Sequence, residues 1–432
     1  MTAENLSSAG SNTASSAPVL EVDVAIVGGA MAGATLALGL AALGERLKRP
    51  LKIALIEANR PGSTSANPLH PGFDARSIAI AHGSVFELTR LGIWPKLAHL
   101  GSAIDNIHVS DRGHFGMTEL NASQFQLSSL GQVVELERIG HSLFELLDAA
   151  DIHLFCPNKL ASVSAQNDGH QLTLAGGEVL FSRLLVAADG VNSVVRETFA
   201  QPLEQVDFGQ TAIVANVLTD KAHNHWAWER FTNSGPLALL PMSLPTHAQL
   251  AASGAQQAKA RLSLVWALDA GSAAMMKDAD DATFLSSLQE AFGFRAGQFI
   301  AVSQRHTYPL TLSYMPRPIY HRCVFVGNAA QTLHPIAGQG FNLGLRDIVC
   351  LIEAVGEALT NDEDIGASAV IHRYLHSREQ DRNRTLGHIE FLVRGFSNDY
   401  WPLVAGRSLG LRLLSWVPPL KTPVAYRAMG FR

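Results

Sequence analysis

The stretch VAIVGGAMAGATLALGL (residues 24–40) decides how this chain folds. A β-branched run at residues 22–27 is followed by Gly28, Gly29 and Gly33, and then by an Ala/Leu-rich run at residues 34–43. That order predicts strand, tight turn and buried helix. The spacing is G-x-A-x-x-G, with Ala30 where the dinucleotide fingerprint usually has its middle glycine. A methyl group there narrows the backbone approach without closing it. A turn built from Gly28, Gly29, Ala30, Met31, Ala32 and Gly33 presents backbone N–H groups and the positive end of a helix, so a pyrophosphate is met without any lysine. LKIALIEA (51–58) reads as the next strand, and Glu57 near its end can accept hydrogen bonds from a ribose diol. Taken alone, the same residues also describe a βαβ unit that binds nothing.

Two later segments argue for a ligand. RLLVAADGVNSVVR (183–196) predicts a third buried strand running into a turn at Asp189 and Gly190, and CVFVGNAAQTLHPIAGQGFNLGLRD (323–347) predicts a fourth strand, a glycine-rich loop and a helix starting near Asn342. Three strand-to-glycine junctions place three loops at the C-terminal edge of one parallel sheet, where open α/β sheets bind ligands.

Composition excludes several other classes. The chain has 432 residues, 47% of them hydrophobic and 16% charged, with a net charge of −5 and no basic surplus in its body, so no nucleic-acid partner is expected. Cys156, Cys323 and Cys350 show no disulfide or zinc spacing, which suits a reducing cytoplasm. His223-x-His225 has ligand-like types but no third ligand, so no metal is expected. Mean hydropathy is +0.11, and residues 24–44 carry no charge over a length that could cross a bilayer. The glycines assign that run to the strand–turn–helix unit instead, and neither a transmembrane helix nor a signal peptide is expected. Residues 1–20 read as a disordered tail.

GGAMAG with Glu57, DARSIAI (74–80), AADGVNSVVR and GNAAQTLHPIAGQGFNLGLRD together resemble the FAD-dependent aromatic hydroxylases, the group A flavoprotein monooxygenases. HPGFDARSIAIA (70–81), HVSDRGHFG (108–116) and LHPIAGQGFNLG (333–344) look like that family's ubiquinone-biosynthesis branch. The similarity runs from about residue 22 to the C-terminus. It implies an α/β fold of the p-hydroxybenzoate-hydroxylase type: a Rossmann-like FAD-binding domain with a parallel sheet (21–100, 130–200 and 305–395), an antiparallel-sheet substrate domain (101–129 and 201–304) and a helical C-terminal segment (396–432). It implies FAD as cofactor, NAD(P)H as electron donor and O2 as co-substrate, with a flavin hydroperoxide delivering hydroxyl to a polyprenylated phenol.

Carried over by position, the resemblance gives the pyrophosphate to Gly28 and Gly33, the adenosine ribose to Glu57, the phosphates to Arg76 and the cofactor border to Gln132. It gives both nucleotides to Asp189 and Gly190, and the ribityl chain to Asn328, which replaces the usual Asp, while Gln331 replaces the usual His. Independently of the family, a helix opened by Gly338, Gln339, Gly340, Phe341 and Asn342 offers N–H groups to the negative charge of a reduced flavin. Pro335 would wall the ring, and His334 reads either as an acid–base group or as a packed loop residue.

Short β-rich runs between residues 210 and 268 predict an antiparallel sheet forming one wall of the site. Phe231, Leu239 and Pro241 are its candidate substrate-lining residues, although plain core packing explains an apolar run as well. Residues 367–392 predict a helix whose dense Arg/Glu/Asp face is solvated. Residues 401–432 hold five basic residues and no acidic one, leaving −10 on the rest of the chain. That tail reads as an interfacial segment on an anionic lipid surface, a helix packed on the domain, or a contact within a homo-oligomer or with other ubiquinone-biosynthesis proteins.

Overall fold

The structure is a computed structural model that describes residues 19–61, 76–252, 255–333 and 338–396, together with Gly410, Thr422, Ala425, Tyr426, Met429 and Gly430. The strand Val19–Val27 lies at the centre of a sheet. Ile53–Ile56 and then His153–Phe155 pair parallel on one side of it, and Val179–Ala187 and then Cys323–Phe325 on the other. Such strands are near-continuous apolar runs because both of their faces are covered. The helices Met31–Leu47, Leu136–Asp148 and Gln339–Thr360 bury Leu36, Leu40, Ile139, Leu143, Ile348 and Val355 in one core against this sheet. Strand order reverses beside Val19–Val27, so the crevice for a ligand opens at its C-terminal end, at Gly28.

A second sheet is antiparallel apart from one parallel pair. Its central strand, Glu204–Thr219, pairs with Ala260–Asp269 and with His306–Tyr314. Beyond Ala260–Asp269 lie Gly235–Met242, Trp226–Thr232 and the hairpin Asn106–Asp111/Met117–Asn121. The sequence reading puts residues from 305 onward with the cofactor half, yet His306–Tyr314 gives its hydrogen bonds to this second sheet. The strand Gln331–Thr332 then pairs with Ser313 and Tyr314. The segment from Cys323 to Thr332 therefore starts in the parallel sheet and ends on the edge of the antiparallel one. A small third sheet, Ser77–Ala81, Gly131–Glu135 and Ser102–Ile104, completes the strand framework.

Alternation along Gly235–Met242 divides its apolar residues between two faces. Leu237 and Leu239 join Trp228, Trp266, Phe284, Leu288 and Phe292 in a closed core under the helices Ala270–Asp278 and Asp281–Phe292. Leu240 and Met242 face the other way, with Ile104, Leu130 and Val133. Leu239, an expected substrate contact, is thus 0% exposed in the core on the far face, and Pro241 shares its side of the pleat. An unbroken apolar run hides this split, since strand pairing and not composition sets which residues face together.

The helix Ser368–Phe396 corrects a second expectation. Its charged face is not solvated throughout, because Arg378 and Arg382 are buried. Charge spacing along a helix looks the same whether the partner is water or a carboxylate on a neighbouring helix. Residues 1–18 and most of 401–432 lie outside the described residues. Of the latter, Ala425 and Met429 are buried in the cluster with Ile104 and Met242, and the Gly83 N–H donates to the Met429 carbonyl at 2.8 Å.

Leu239→Ala should lower unfolding free energy by about 2–5 kcal/mol, the range for a closed apolar site. Denaturant titration measures this, and a loss below about 1 kcal/mol would place Leu239 against an open cavity instead.

Candidate active site

The first loop is stitched into the sheet on both sides. The Gly28 N–H donates to Ile56 O at 2.8 Å, and the Ala188 N–H to Val27 O at 2.7 Å. Gly28 has φ +99°, and a Cβ there would stand 2.4 Å from Ala188 O; a Cβ on Gly33 would stand 1.8 Å from Gly28 O. The turn closes only if both positions lack a side chain. The Ala34 N–H makes the helix bond back to Ala30 O at 2.9 Å. The first-turn donors at Met31, Ala32 and Gly33 lie ahead of that bond, no side chain caps them, and no acidic residue sits in the turn. A helix start of this kind matches an anion. Glu57 is buried beside it, its Oε2 accepting from the Gly29 N–H at 2.5 Å and its Oε1 from the Asn59 N–H at 2.9 Å.

The second and third loops converge on the same edge. Asp189 follows Ala188, and its Oδ2 accepts from the Val195 N–H at 3.2 Å while its buried Oδ1 has no hydrogen-bond partner. Burial raises the Asp189 carboxyl above the ordinary carboxylate range, against hydrogen bonds from Ser193 and Val195 that pull it down. Gly190 has φ +84° and open space where a Cβ would be. Arg196, buried, ties this loop to the next by donating from Nη1 to Ala329 O at 3.1 Å and from Nη2 to Val191 O at 2.6 Å. At the third loop, Gly338 precedes the helix Gln339–Thr360 with φ 60°, and again no side chain caps the helix. Asn342 is buried there, its Nδ2 donating to Ala79 O at 3.0 Å and Gly338 O at 2.7 Å and its Oδ1 accepting from the Ala81 N–H at 2.9 Å.

Residues 21–385 match the FAD binding domain family. The chain belongs to that family. Within it lie FAD-dependent hydroxylases of ubiquinone biosynthesis, the branch into which this flavoprotein falls. It is 32% identical over 414 residues to the ubiquinone hydroxylase UbiL of Rhodospirillum rubrum, covering 94% of this chain and 89% of that one. It is 28% identical to 3-demethoxyubiquinol 3-hydroxylase of Escherichia coli, over 94% and 98% of the two chains. The fold is shared with p-nitrophenol 4-monooxygenase PnpA of Pseudomonas putida, at a TM-score of 0.71 and 15% identity over 96% of this chain and 100% of the other.

The residues present fit FAD. Two glycines make the backbone cradle, uncapped helix starts stand at the first and third loops, and the buried Asp189 Oδ1 lacks a donor that a ligand hydroxyl or N–H would supply. Other predicted residues sit as follows. The Arg76 guanidinium lies over the Tyr308 ring, 4.9 Å from its centroid. Gln132 is half-buried, with Nε2 3.3 Å from Ser129 Oγ. Asn328 is exposed in the short turn Gly327–Ala329. The amide of Asn342 is engaged with protein, so a contribution to the flavin would come through its backbone. Phe231 is buried in a cluster with Leu312, Leu333, Leu343 and Leu386, on the face of the antiparallel sheet turned to the third loop. His334 and Pro335 lie outside the described residues. His223 Nε2 is 3.1 Å from Met242 O, and His225 Nδ1 is 2.8 Å from Asp105 Oδ2.

Sequence reasoning missed the part that Arg196 plays between the second and third loops, and it missed a buried polar cluster around Gln331 and Asp347. For Asp347 the signal was the Arg346-Asp347 pair inside the largely apolar helix Gln339–Thr360; the short segment around Arg196 carried none.

Gly33→Ala should weaken FAD binding by about tenfold or more, read as flavin absorbance per chain after gel filtration, with far-ultraviolet circular dichroism preserved. Unchanged flavin content would refute the close approach at Gly28. Asp189 supplies a pH test. Its folded-state pKa is raised, so the apoprotein loses stability as pH climbs from the ordinary carboxylate value to the raised one, and nothing more above that. The thermal midpoint of apo Asp189→Asn minus that of wild type should therefore grow across that window and then level off; a pH-independent difference would contradict the assignment.

Proposed function

We propose that this flavoprotein hydroxylates a polyprenylated phenol, converting a 2-polyprenyl-6-methoxyphenol to the corresponding 1,4-benzoquinol. One NAD(P)H, one proton and one O2 are consumed, one oxygen atom enters the ring and the other leaves as water. Bound FAD would supply the redox chemistry, accepting hydride from the nicotinamide and activating O2.

The protein's tasks are to hold, orient and keep dry. Met31, Ala32 and Gly33 would bind the pyrophosphate through N–H groups, Glu57 the ribose, and Asp189 a hydroxyl or amide through Oδ1. The N–H groups at Gly338–Phe341 would face the negative charge of the reduced ring system, which favours electron acceptance.

The observation that carries the substrate class is the apolar side of the antiparallel sheet on which Leu240 is half-buried and Phe231 and Met242 are buried. These three residues lie on the side of the antiparallel sheet opposite its closed core, in clusters shared with Leu333, Leu343, Ile104 and Val133. A face of this kind suits a prenyl chain and excludes the water that would divert activated oxygen. The names of the relatives UbiL and 3-demethoxyubiquinol 3-hydroxylase favour a ubiquinone precursor, and the second of them favours position 3 as the competing ring site.

The test incubates the FAD-loaded chain with NADH or NADPH, 18O2 and a short-chain 2-prenyl-6-methoxyphenol. The expected product carries one 18O at the ring position para to the phenol oxygen. Labelling at another carbon would move the assignment to a different ring step. NAD(P)H oxidation that the phenol does not stimulate, or a reduced lipid without label, would refute hydroxylation in favour of a flavin-binding scaffold or a lipid reductase.

A further inference from the structure

The segment HVSDRGHFG (108–116) plays no part in the cofactor crevice. It supplies the end of the strand Asn106–Asp111 and the tip of its hairpin. Beneath that tip is a cavity of about 260 Å³ whose lining includes Ser110, Asp111, His114, Phe115, Arg230 and Arg295. Arg230 and Phe231 are consecutive on the strand Trp226–Thr232, so Arg230 is turned to the face opposite the apolar one. Ser110 is its cross-strand neighbour.

Arg230 is half-buried there, and its side chain makes no hydrogen bond and no ion pair with any described residue; its Nε is buried without a partner. Burial, and then the like charges of Arg295 and Arg112, lower the pKa of this guanidinium, while Asp111 acts the other way. Arg295 lines the same cavity, and its Nη1 is hydrogen-bonded to Nε2 of the buried His108. A guanidinium only donates, so the His108 ring is neutral with its proton on Nδ1. Burial, and then Arg295, lowers the His108 pKa to about 4, which keeps that acceptor in place at neutral pH. Three acids stand nearby. Asp111 is buried in the cavity wall, Glu119 lies 4.0 Å from His108 Nε2, and the exposed Glu290 takes Arg112 Nη2 at 3.1 Å.

We propose that this cavity binds a phosphate monoester, with Arg230 and Arg295 taking its terminal oxygens through their planar forks. Holding an unbonded guanidinium beside two others costs stability that a neutral side chain would not, and a bound anion recovers it. Two N–H groups from each fork and the Ser110 hydroxyl outnumber the about four lone-pair positions of a carboxylate, whereas the three terminal oxygens of a phosphate accommodate them. Asp111 in the same wall repels a second phosphate and accepts from a hydroxyl on the alcohol part. The class selected is therefore a single phosphate on a small polyol, free in solution or as a lipid headgroup. The site does not rest on the flavin assignment.

The test titrates the full-length chain with glycerol 3-phosphate by calorimetry, with FAD in excess so that the turn at residues 28–33 is filled. Saturable binding is expected with a Kd of about 1 mM or tighter. Arg230→Gln should weaken it by about tenfold or more, while Lys159→Gln, at an exposed cation outside the cavity, should leave it unchanged. In phosphate-free buffer the thermal midpoint of Arg230→Gln should equal or exceed that of wild type, and glycerol 3-phosphate should raise the midpoint of wild type alone. Three results overturn the proposal: no saturable binding by about 10 mM, wild-type affinity in Arg230→Gln, or an equal loss in Lys159→Gln. If Arg230→Gln fails to fold, Arg295→Gln carries the test, and wild-type affinity in it overturns the proposal. Cosedimentation with phosphatidate vesicles, against phosphatidylcholine vesicles, then separates the sources. Phosphatidate binding that Arg230→Gln weakens assigns a lipid headgroup, and phosphatidate binding equal in the two proteins assigns a soluble ester.

Discussion

The rest of the structure depends on one contact, the α-carbon of Gly33 against the carbonyl of Gly28, where a Cβ would stand only 1.8 Å from the oxygen. That approach lets the helix Met31–Leu47 begin immediately beyond the strand, with its first N–H groups turned toward the crevice. The crevice exists because strand order reverses beside Val19–Val27. The same reversal puts Asp189 next to Gly28, and the Ala188–Val27 hydrogen bond holds the two loops at a fixed separation. Arg196 carries the connection on to the third loop. Three loops distant in sequence are thus linked by hydrogen bonds.

The two sheets are joined by the chain segment that leads to the third loop. Cys323–Phe325 belongs to the parallel sheet and Gln331–Thr332 to the antiparallel one, so the third loop is anchored at the boundary between them. Asn342 adds a second anchor by bonding to both Ala79 and Ala81, which ties the helix Gln339–Thr360 to the small third sheet. The apolar face that carries Phe231 and the glycine turns of the parallel sheet are therefore set against each other by backbone pairing. Among the described residues no helix is long and apolar enough to cross a membrane.

Much of this was legible in the sequence. Glycine spacing after apolar β-branched runs identified the three loops, because only glycine meets the steric demands at Gly28 and Gly33. The β-rich runs at 226–231, 235–242 and 261–268 fell within observed strands. What could not be read was which residues share a face across strands. Leu239 and Leu240 look alike in sequence, yet a period of two sends one into a closed core and the other toward the cofactor half. The burial of Arg378 and Arg382 was equally hidden, since their partners Asp347 and Gln331 lie on other elements and only tertiary packing brings them within bonding distance.

The central claim is that one FAD lies across this crevice, with its pyrophosphate on the start of Met31–Leu47 and its ring system at the start of Gln339–Thr360. A crystal structure of the FAD-loaded chain tests it most directly. The account predicts phosphate density within hydrogen-bond distance of the N–H groups of residues 31–33, ribose at Glu57, and the ring between Gly338–Asn342 and the face that carries Phe231. FAD bound elsewhere, or with its phosphates away from the Gly28–Gly33 turn, would contradict it.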